Sequence, residues 1–317
     1  MKRHQILKEK RIKAILKVQD EILSATRDFL RRNGFIEILP PIIGPVTDPG
    51  IRGAKQVSID YYGTSFKIMS SIILYKQMIV GSLEKIFAVS PNIRLEPLSS
   101  IDTERHLAEF RQVDLEQANV TYYDSMQLAE RLIEYVVQRI SERCSEELET
   151  LGKKLNKPSL PLRKLTYEEA LDLLKSKGFQ AEFGEEFSWE AENALSQMFK
   201  DPFFVTDYPL KARGFYYREN PEKPGFLRDF DLIYPEGFGE AVSGGEREYK
   251  FEAVVKRMRQ VGENLDAYEW YLNMLKDGVV PSAGFGIGVE RLTRWVCGLQ
   301  AIWDAVPFPK VPGLASP

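Results

Sequence analysis

Between residues 284 and 288 the chain reads Gly284-Phe285-Gly286-Ile287-Gly288. Side chains on a strand alternate between its two faces, so this spacing gives one face two large apolar groups and leaves the other bare. Strand interiors rarely tolerate that unless something packs flat against the bare face. Two arrangements satisfy it: a planar nucleotide lying on the sheet, with Arg291 reaching its phosphates, or tight packing of a helix on the strand. The spacing differs from G-x-G-x-x-G and no early βαβ unit surrounds it, which excludes the dinucleotide fingerprint. A helical pattern follows at once, to about Leu299.

The rest of the chain reads as a mixture of helices and mostly antiparallel strands. Ile12, Ile15, Leu16, Leu23 and Leu30 recur at helical spacing and predict a helix from about Ile6 to Arg32, ended by Asn33-Gly34. Phe35 to Leu39 alternates toward Pro40-Pro41 as a strand. A hairpin turns at Tyr61-Tyr62-Gly63-Thr64, a helix is expected over Ile72–Leu83, and Phe87–Ser90 is a short apolar strand. Asn92–Glu96 and Phe110–Glu116 read as two strands around a polar loop. Period-2 spacing sets Phe110, Gln112, Asp114 and Glu116 on one face. Helix follows from Tyr122 to about Leu151, then a probable peripheral insertion at about 152–192. Strands are expected around 203–205, 215–217 and 230–234. Strands not separated by regular helices argue for an α+β fold, an antiparallel sheet flanked by helices, as one domain over 1–317.

Composition narrows the chemistry. Among 317 residues there are two Cys, Cys144 and Cys297, and two His, His4 and His106. That excludes a short-spaced Cys/His zinc site, a disulfide framework and a nucleophile motif built on His. A net charge of -3 gives no global case for nucleic-acid binding. No apolar run reaches the roughly 20 residues of a membrane helix, and the N-terminus lacks the apolar centre of a signal peptide. A cytoplasmic protein, away from membranes, is expected. Its chemistry must run on carboxylates, Arg, Lys and bound ions.

Three sets of residues can carry such chemistry. Arg94 and Glu96, with Arg105, His106, Glu109 and Phe110 across the loop, combine phosphate-binding guanidinium groups with an aromatic that can stack on a base; a surface ladder of salt bridges has the same pattern. Asp231, Glu240 and Ser243 offer oxygen ligands suited to Mg²⁺ beside Arg247, which suits a carboxylate; a solvated Gly-rich turn is the alternative. The third set is the glycine strand with Glu290 and Arg291.

In this order the three sets resemble the catalytic domains of class II aminoacyl-tRNA synthetases. GFIEILPP is similar to the dimer-forming motif 1, RLEPLSSIDTERHLAEFRQVDLE to motif 2 and GFGIGVERLTRW to motif 3; FFVTDYPL and GEAVSGGER resemble the aspartyl/asparaginyl subgroup. The resemblance covers about residues 10 to 300. It implies ATP bent over an antiparallel sheet, with Arg94 on the α-phosphate, Phe110 under adenine and Arg291 near the γ-phosphate. Glu96, Arg105, His106, Leu107, Glu240 and Gly288 complete the implied ATP set. Asp231, Glu240 and Ser243 would surround Mg²⁺. Arg247 and Lys76 would take the amino-acid side-chain carboxylate, with Asp114 nearby, and Asp48, Ser71, Ser243 and Gly244 would complete the substrate set. Arg94, Arg247 and Arg291 are the expected catalytic residues, and a homodimer is the expected assembly.

Two departures refine the expectation. Motif 1 begins almost at the N-terminus, which leaves no room for the family's anticodon-binding domain, so no stable tRNA binding is expected. The family's Gln-Ser-Pro-Gln-Leu-Tyr-Lys signature stands here as Ser70-Ser71-Ile72-Ile73-Leu74-Tyr75-Lys76, and Thr47-Asp48-Pro49-Gly50-Ile51 replaces an acidic Glu-Gly-Gly loop. Both changes fall where a synthetase grips the α-amino group, while Arg247 and Lys76 are kept. An enzyme that activates the β-carboxylate of aspartate must turn its substrate end for end, and these changes fit that inversion. The expected activity is the one carried by archaeal relatives of asparaginyl-tRNA synthetase: aspartate, ATP and ammonia to asparagine, AMP and pyrophosphate. The alternatives are a truncated aspartyl- or asparaginyl-tRNA synthetase that transfers aminoacyl groups and an inactive ligand-binding regulatory paralogue.

Overall fold

The computed structural model describes residues 2–49, 53–179 and 182–314. Helices α1 (Arg3–Ile6) and α2 (Lys10–Arg32) lead to strands β1 (Ile36–Glu37) and β2 (Ile43–Gly44). The hairpin β3 (Ser58–Tyr61) and β4 (Thr64–Ile68) precedes α3 (Ile73–Leu83), β5 (Lys85–Ile93) and β6 (Glu109–Ala118). Then come α4 (Tyr122–Arg143), α5 (Ser145–Leu151), β7 (Arg163–Thr166), α6 (Tyr167–Ser176), α7 (Trp189–Gln197) and β8 (Phe203–Thr206). The last part holds β9 (Asp229–Tyr234), β10 (Gly239–Glu246), α8 (Phe251–Gln260), α9 (Glu269–Asp277), β11 (Ser282–Gly288) and α10 (Val289–Cys297).

Eight strands form one sheet in the order β1-β5-β6-β11-β10-β9-β8-β7, and β2-β4-β3 form a smaller one. Only the outermost pairs of the large sheet, β1 with β5 and β7 with β8, are parallel. The α+β expectation therefore holds.

Alternation along the strands divides the large sheet into two unlike faces. Phe87, Val113, Leu115, Phe230, Leu232, Phe285 and Ile287 join one apolar cluster with the buried stripe of α2 (Ile12, Ile15, Val18, Ile22, Ala25, Phe29) and the buried side of α4. The intervening residues Gln112, Asp114 and Glu116 of β6 point to the other face. One face holds the core, and the other is left for polar chemistry. No helix among the described residues is long and apolar enough to cross a membrane.

Several elements differ from their sequence expectation for identifiable reasons. The first helix begins at Lys10, after the separate turn α1. β1 is only two residues long, and beyond it Leu39 is 97% exposed and Ile42 60% exposed. Residues 85–93 make one continuous strand, although Pro91 lies inside it. β1 pairs only with Ile86 and Phe87, so the missing N–H of Pro91 faces a position where no neighbouring strand remains. Phe215–Tyr217 is no strand. It is a buried turn touching the sheet through one bridge, Tyr217 to Arg247. Ser243-Gly244-Gly245 lies inside β10, not in a loop. The stretch 152–192 supplies β7, the outer strand of the large sheet, so it is joined to the sheet by backbone pairing.

Gly284 of β11 answers to neither explanation offered, a bound nucleotide or a packed helix, because its neighbours belong to the adjacent strand β6. A Cβ on Gly284 would lie 2.2 Å from the Leu115 carbonyl oxygen and 2.8 Å from Glu116 Cα, so close backbone approach explains that glycine. A Cβ on Gly288 would meet nothing nearer than Arg291 at 3.5 Å, an ordinary contact. Gly284→Ala is expected to cost at least about 3 kcal/mol or prevent folding, since rigid backbone would have to move. Gly288→Ala should stay within about 1 kcal/mol of the unmodified protein. Urea denaturation of both variants checks the contrast, and equal stabilities would contradict it.

Candidate active site

A cavity of about 480 Å³ opens over the polar face of the large sheet, within the range of small-molecule sites. Of the site residues expected from sequence, all but Asp231 and Gly244 border it.

At its floor lies an ionic group that solvent does not reach. Arg247 donates through Nε to Glu116 Oε1 and through Nη2 to Glu116 Oε2, both at 3.0 Å. The Ser282 hydroxyl donates to the same Oε1 at 2.9 Å. Lys76 Nζ lies 3.2 Å from Asp114 Oδ1 and 3.7 Å from Glu116 Oε2, and Ser90 donates to Asp114 Oδ2 at 2.5 Å. Each charge is thus paired, as burial demands. Arg247 Nη1 is the exception: it is buried and has no partner. Glu116 was placed on this face by strand alternation, but no sequence signal marked it as the anchor of Arg247.

Toward the middle, Arg94 follows β5. Its Nε and Nη2 both donate to the Ser70 carbonyl at 3.1 Å, and Nη2 stands 3.9 Å from Asp48 Oδ2. Its guanidinium lies 5.2 Å from the centre of the Phe110 ring. Phe110 therefore presents an aromatic surface beside a fixed cation, as base and phosphate binding require. Asp48 accepts from the Tyr216 hydroxyl at 2.9 Å. Gly50 and Ile51 of the same loop lie outside the described residues.

The far end is rich in arginine. Arg291 Nη1 donates to Glu240 at both its carbonyl and Oε2, each at 2.8 Å. Arg105 donates to Glu192 at 2.9 Å, lies 3.7 Å from Glu240 Oε2 and stacks 4.5 Å above the Trp189 ring. Trp189 and Glu192 come from the first turn of α7, within the stretch expected to be peripheral; nothing local in the sequence indicates that they meet Arg105. His106 Nδ1 is 2.8 Å from the Thr103 hydroxyl. Burial, and then the neighbouring Arg291 and Arg105, push its pKa down to about 3. It is a neutral hydrogen-bonding group at physiological pH.

Two expected residues do not border the cavity. Asp231 faces Ser243 across the strand pair, but Arg213 Nη2 donates to its Oδ2 at 2.5 Å. Arg213 also reaches Glu186 and Asp229, and its guanidinium stacks 3.8 Å from the Tyr208 ring. That leaves Asp231 Oδ1 buried and without a hydrogen-bond partner among the described residues. Gly244 points away from the cavity: a Cβ there would lie 2.5 Å from Phe285 Cβ and 2.7 Å from the Phe230 ring. It is a glycine of core packing. No group of three or more His, Cys, Asp or Glu that could hold a metal exists among the described residues. Glu240 and Ser243 both border the cavity. Together with substrate phosphate they match the sparse oxygen set that Mg²⁺ accepts, and Asp231, opposite Ser243 on the neighbouring strand, keeps one oxygen without a partner.

An antiparallel sheet with one ionic face, a stacked Arg94 and Phe110, and an arginine at the start of the helix after β11 define an ATP-dependent adenylating fold. The chain belongs to the family of class II tRNA synthetases (D, K and N), whose model matches residues 1–312. It is 36% identical over 318 residues to an asparagine–tRNA ligase of Thermococcus gammatolerans, covering 99% of this chain and 73% of that one. A counterpart from Desulforamulus reducens is 35% identical over 313 residues, covering 98% and 72%. Asparaginyl-tRNA synthetase from Pyrococcus horikoshii complexed with asparaginyl-adenylate superposes with a TM-score of 0.93 at 34% identity, covering 99% of this chain and 72% of that one. The Entamoeba histolytica enzyme with asparaginyl-adenylate gives 0.89 at 26%, covering 99% and 71%.

The state of His106 generates a pH prediction. Its folded pKa, about 3, lies below the ordinary value of 6.5. The unfolded chain therefore takes up a proton that the folded chain refuses, and stability present above pH 6.5 is lost as the pH falls. Between pH 6.5 and 5 this amounts to about 2 kcal/mol. His106→Asn should remove that part of the acid dependence, so the stability difference between the two proteins should change by about that amount over the interval. Parallel stability curves would show that His106 titrates normally.

Proposed function

We propose that the chain is an AMP-forming aspartate–ammonia ligase. The β-carboxylate of aspartate attacks the α-phosphorus of ATP, pyrophosphate leaves, and ammonia displaces AMP from the β-aspartyl adenylate to give asparagine.

The observation that carries this reading is Arg247. Two of its nitrogens are clamped on Glu116, and the third, Nη1, is buried, unpartnered and part of a residue on the cavity wall. That is a preorganised donor for a carboxylate. Asp114 borders the same end and offers a carboxylate to an ammonium. An α-amino-acid head with both charges is complementary to that pair, which leaves the β-carboxylate pointing toward Arg94. At the opposite wall Ile73 is buried and apolar where the family signature has glutamine, and it cannot hold an ammonium there.

Catalysis in this reading is positioning and charge neutralisation. Arg94 orients the α-phosphate, Arg291 and Arg105 the outer phosphates, and Phe110 the base. Mg²⁺ held by Glu240 and Ser243 would supply further neutralisation of phosphate charge. Burial raises the pKa of the Cys144 thiol to about 11 and that of Cys297 to about 12. Neither is an activated nucleophile of the kind glutamine hydrolysis needs, so ammonia itself is the nitrogen source. The homodimer expected from motif 1 belongs to the same reading; exposed Ile36, Leu39 and Ile42 lie along and beside the edge strand β1.

Transfer of an aminoacyl group to tRNA is the second reading, favoured by the similarity to asparagine–tRNA ligases. Incubating the protein with ATP, labelled aspartate and hydroxylamine separates the two. β-Aspartyl hydroxamate, together with ammonium-dependent asparagine and none from glutamine alone, is the expected result. α-Aspartyl hydroxamate, or aspartate esterified to added tRNA, would overturn it.

Arg247 itself can be probed by Arg247→Lys. Removing the charge altogether would strand Glu116 and cost about 3–5 kcal/mol of fold stability, confusing binding with folding. Lysine keeps the charge and loses the fork. The expected loss in kcat/KM for aspartate is about ten- to hundredfold, one charge-assisted hydrogen bond, with KM for ATP changed less than about threefold. Steady-state kinetics in both substrates checks this. Equal losses for aspartate and ATP would detach Arg247 from the amino-acid end.

A further inference from the structure

An aspartate lying with its α-carboxylate on Arg247 carries its own ammonium away from Arg94. A different carboxylate stands beside Arg94, that of Asp48, and the inverted pose gives it no part of the substrate to hold. We infer that Asp48 captures the incoming ammonium and takes its proton, presenting neutral ammonia to the β-acyl carbon; this rests on the proposed aspartate–ammonia ligase activity.

The placement is geometric. Asp48 is 6% exposed and borders the cavity. Its Oδ1 accepts from the Tyr216 hydroxyl at 2.9 Å and its Oδ2 is 3.9 Å from Arg94 Nη2. One clamp holds both residues. Thr47 Oγ1 accepts from the Ser70 backbone N–H at 2.8 Å and lies 3.0 Å from the Ser70 hydroxyl, and the Ser70 carbonyl holds Arg94. Gln56 fixes the loop from the other side by donating to the Asp48 carbonyl at 3.1 Å. The spacing of Asp48 from Arg94 is therefore set by the fold. In an acyl adenylate one bridging oxygen separates the acyl carbon from the phosphorus. A carboxylate beside the guanidinium that orients that phosphorus is thus also beside the carbon to be attacked.

The chemistry balances. Ammonium has no lone pair and cannot attack. It gives one proton to the Asp48 carboxylate, which becomes a carboxylic acid. The nitrogen lone pair then forms the C–N bond, the bond from the acyl carbon to the phosphate oxygen breaks, and AMP leaves with that electron pair. The nitrogen loses its second proton to water, giving the amide. Asp48 returns its proton to solvent before the next turnover.

Hydroxylamine makes the test possible, because near neutral pH it is largely unprotonated whereas ammonium is almost entirely protonated. Asparagine and hydroxamate formation are measured for the unmodified protein, Asp48→Asn and Tyr216→Phe. Asp48→Asn should lower kcat/KM for ammonium by about 10²- to 10⁴-fold, the usual weight of a proton acceptor. Hydroxamate formation should fall by no more than about tenfold. The residual ammonium activity should rise with pH as free ammonia becomes available. Tyr216→Phe, which leaves the carboxylate but loosens it, should shift the ammonium value in the same direction by about tenfold. Equal losses with both acceptors, or no loss with ammonium, would overturn the role of Asp48. If the unmodified protein makes α-hydroxamate or no asparagine, the aspartate–ammonia ligase reading fails first, and the inference with it.

Discussion

Arg247 and Glu116 hold each other through two 3.0 Å hydrogen bonds in a place that solvent does not reach. A buried ion pair is tolerated only when its geometry is near ideal and its remaining polar atoms are satisfied, and much of the large sheet serves that requirement. Ser282 of β11 completes Glu116, Lys76 of α3 approaches its other oxygen, and Asp114 with Ser90 balances Lys76. Gly284 has no side chain because a Cβ there would stand 2.4 Å from Glu116 Oε2. The opposite face of the same strands is apolar over its centre and packs against α2, α4 and α10. A sheet so divided has its register specified twice, since a slip by one residue would bury charges in the core and leave the ionic floor without partners.

That double specification explains what could be read before the fold was known. Alternation in Phe110–Glu116 and in the glycine strand assigns faces correctly, because a half-apolar strand leaves no freedom. The apolar stripe of α2 works for the same reason. Reading fails where long-range contacts override local pattern. Phe215-Tyr216-Tyr217 has strand propensity, yet Arg257 from α8 donates to the carbonyls of Leu210, Arg213, Gly214 and Tyr217. Those carbonyls are satisfied by one distant guanidinium in place of a neighbouring strand. Asp231 was read as an oxygen ligand, and its partner Arg213, which enters from that same turn, carried no local signal. Glu192 and Trp189 were missed for want of any local motif.

The turn held by Arg257 has a consequence for the site. Residues 211–217 form one wall of the cavity and deliver Arg213, Tyr216 and Tyr217 to three different places. Arg213 neutralises Asp231, Tyr216 holds Asp48, and the Tyr217 hydroxyl lies 3.5 Å from Ser243. Phe215 and Tyr216 pack with Tyr268, Tyr271 and Met258, so the wall is fixed by an apolar cluster separate from the main core. Substrate-facing groups on this side are positioned by packing of aromatic rings, while those on the sheet side are positioned by backbone pairing.

The arginine-rich end follows a different logic, because its cations are paired with carboxylates of the protein itself. Arg291 is held by Glu240, and Arg105 by Glu192 with Glu240 nearby. In the proposed reading a triphosphate that takes Arg291 would compete with that carboxylate, while Arg105 stays 3.7 Å from it. Glu240 and Ser243, on the same strand, would hold a divalent cation there in the proposed reading, and the ion would supply positive charge to the phosphates. Neutral His106 belongs to the same balance. A third full positive charge beside Arg105 and Arg291 would repel both, and burial removes it while leaving a ring that can still hydrogen-bond.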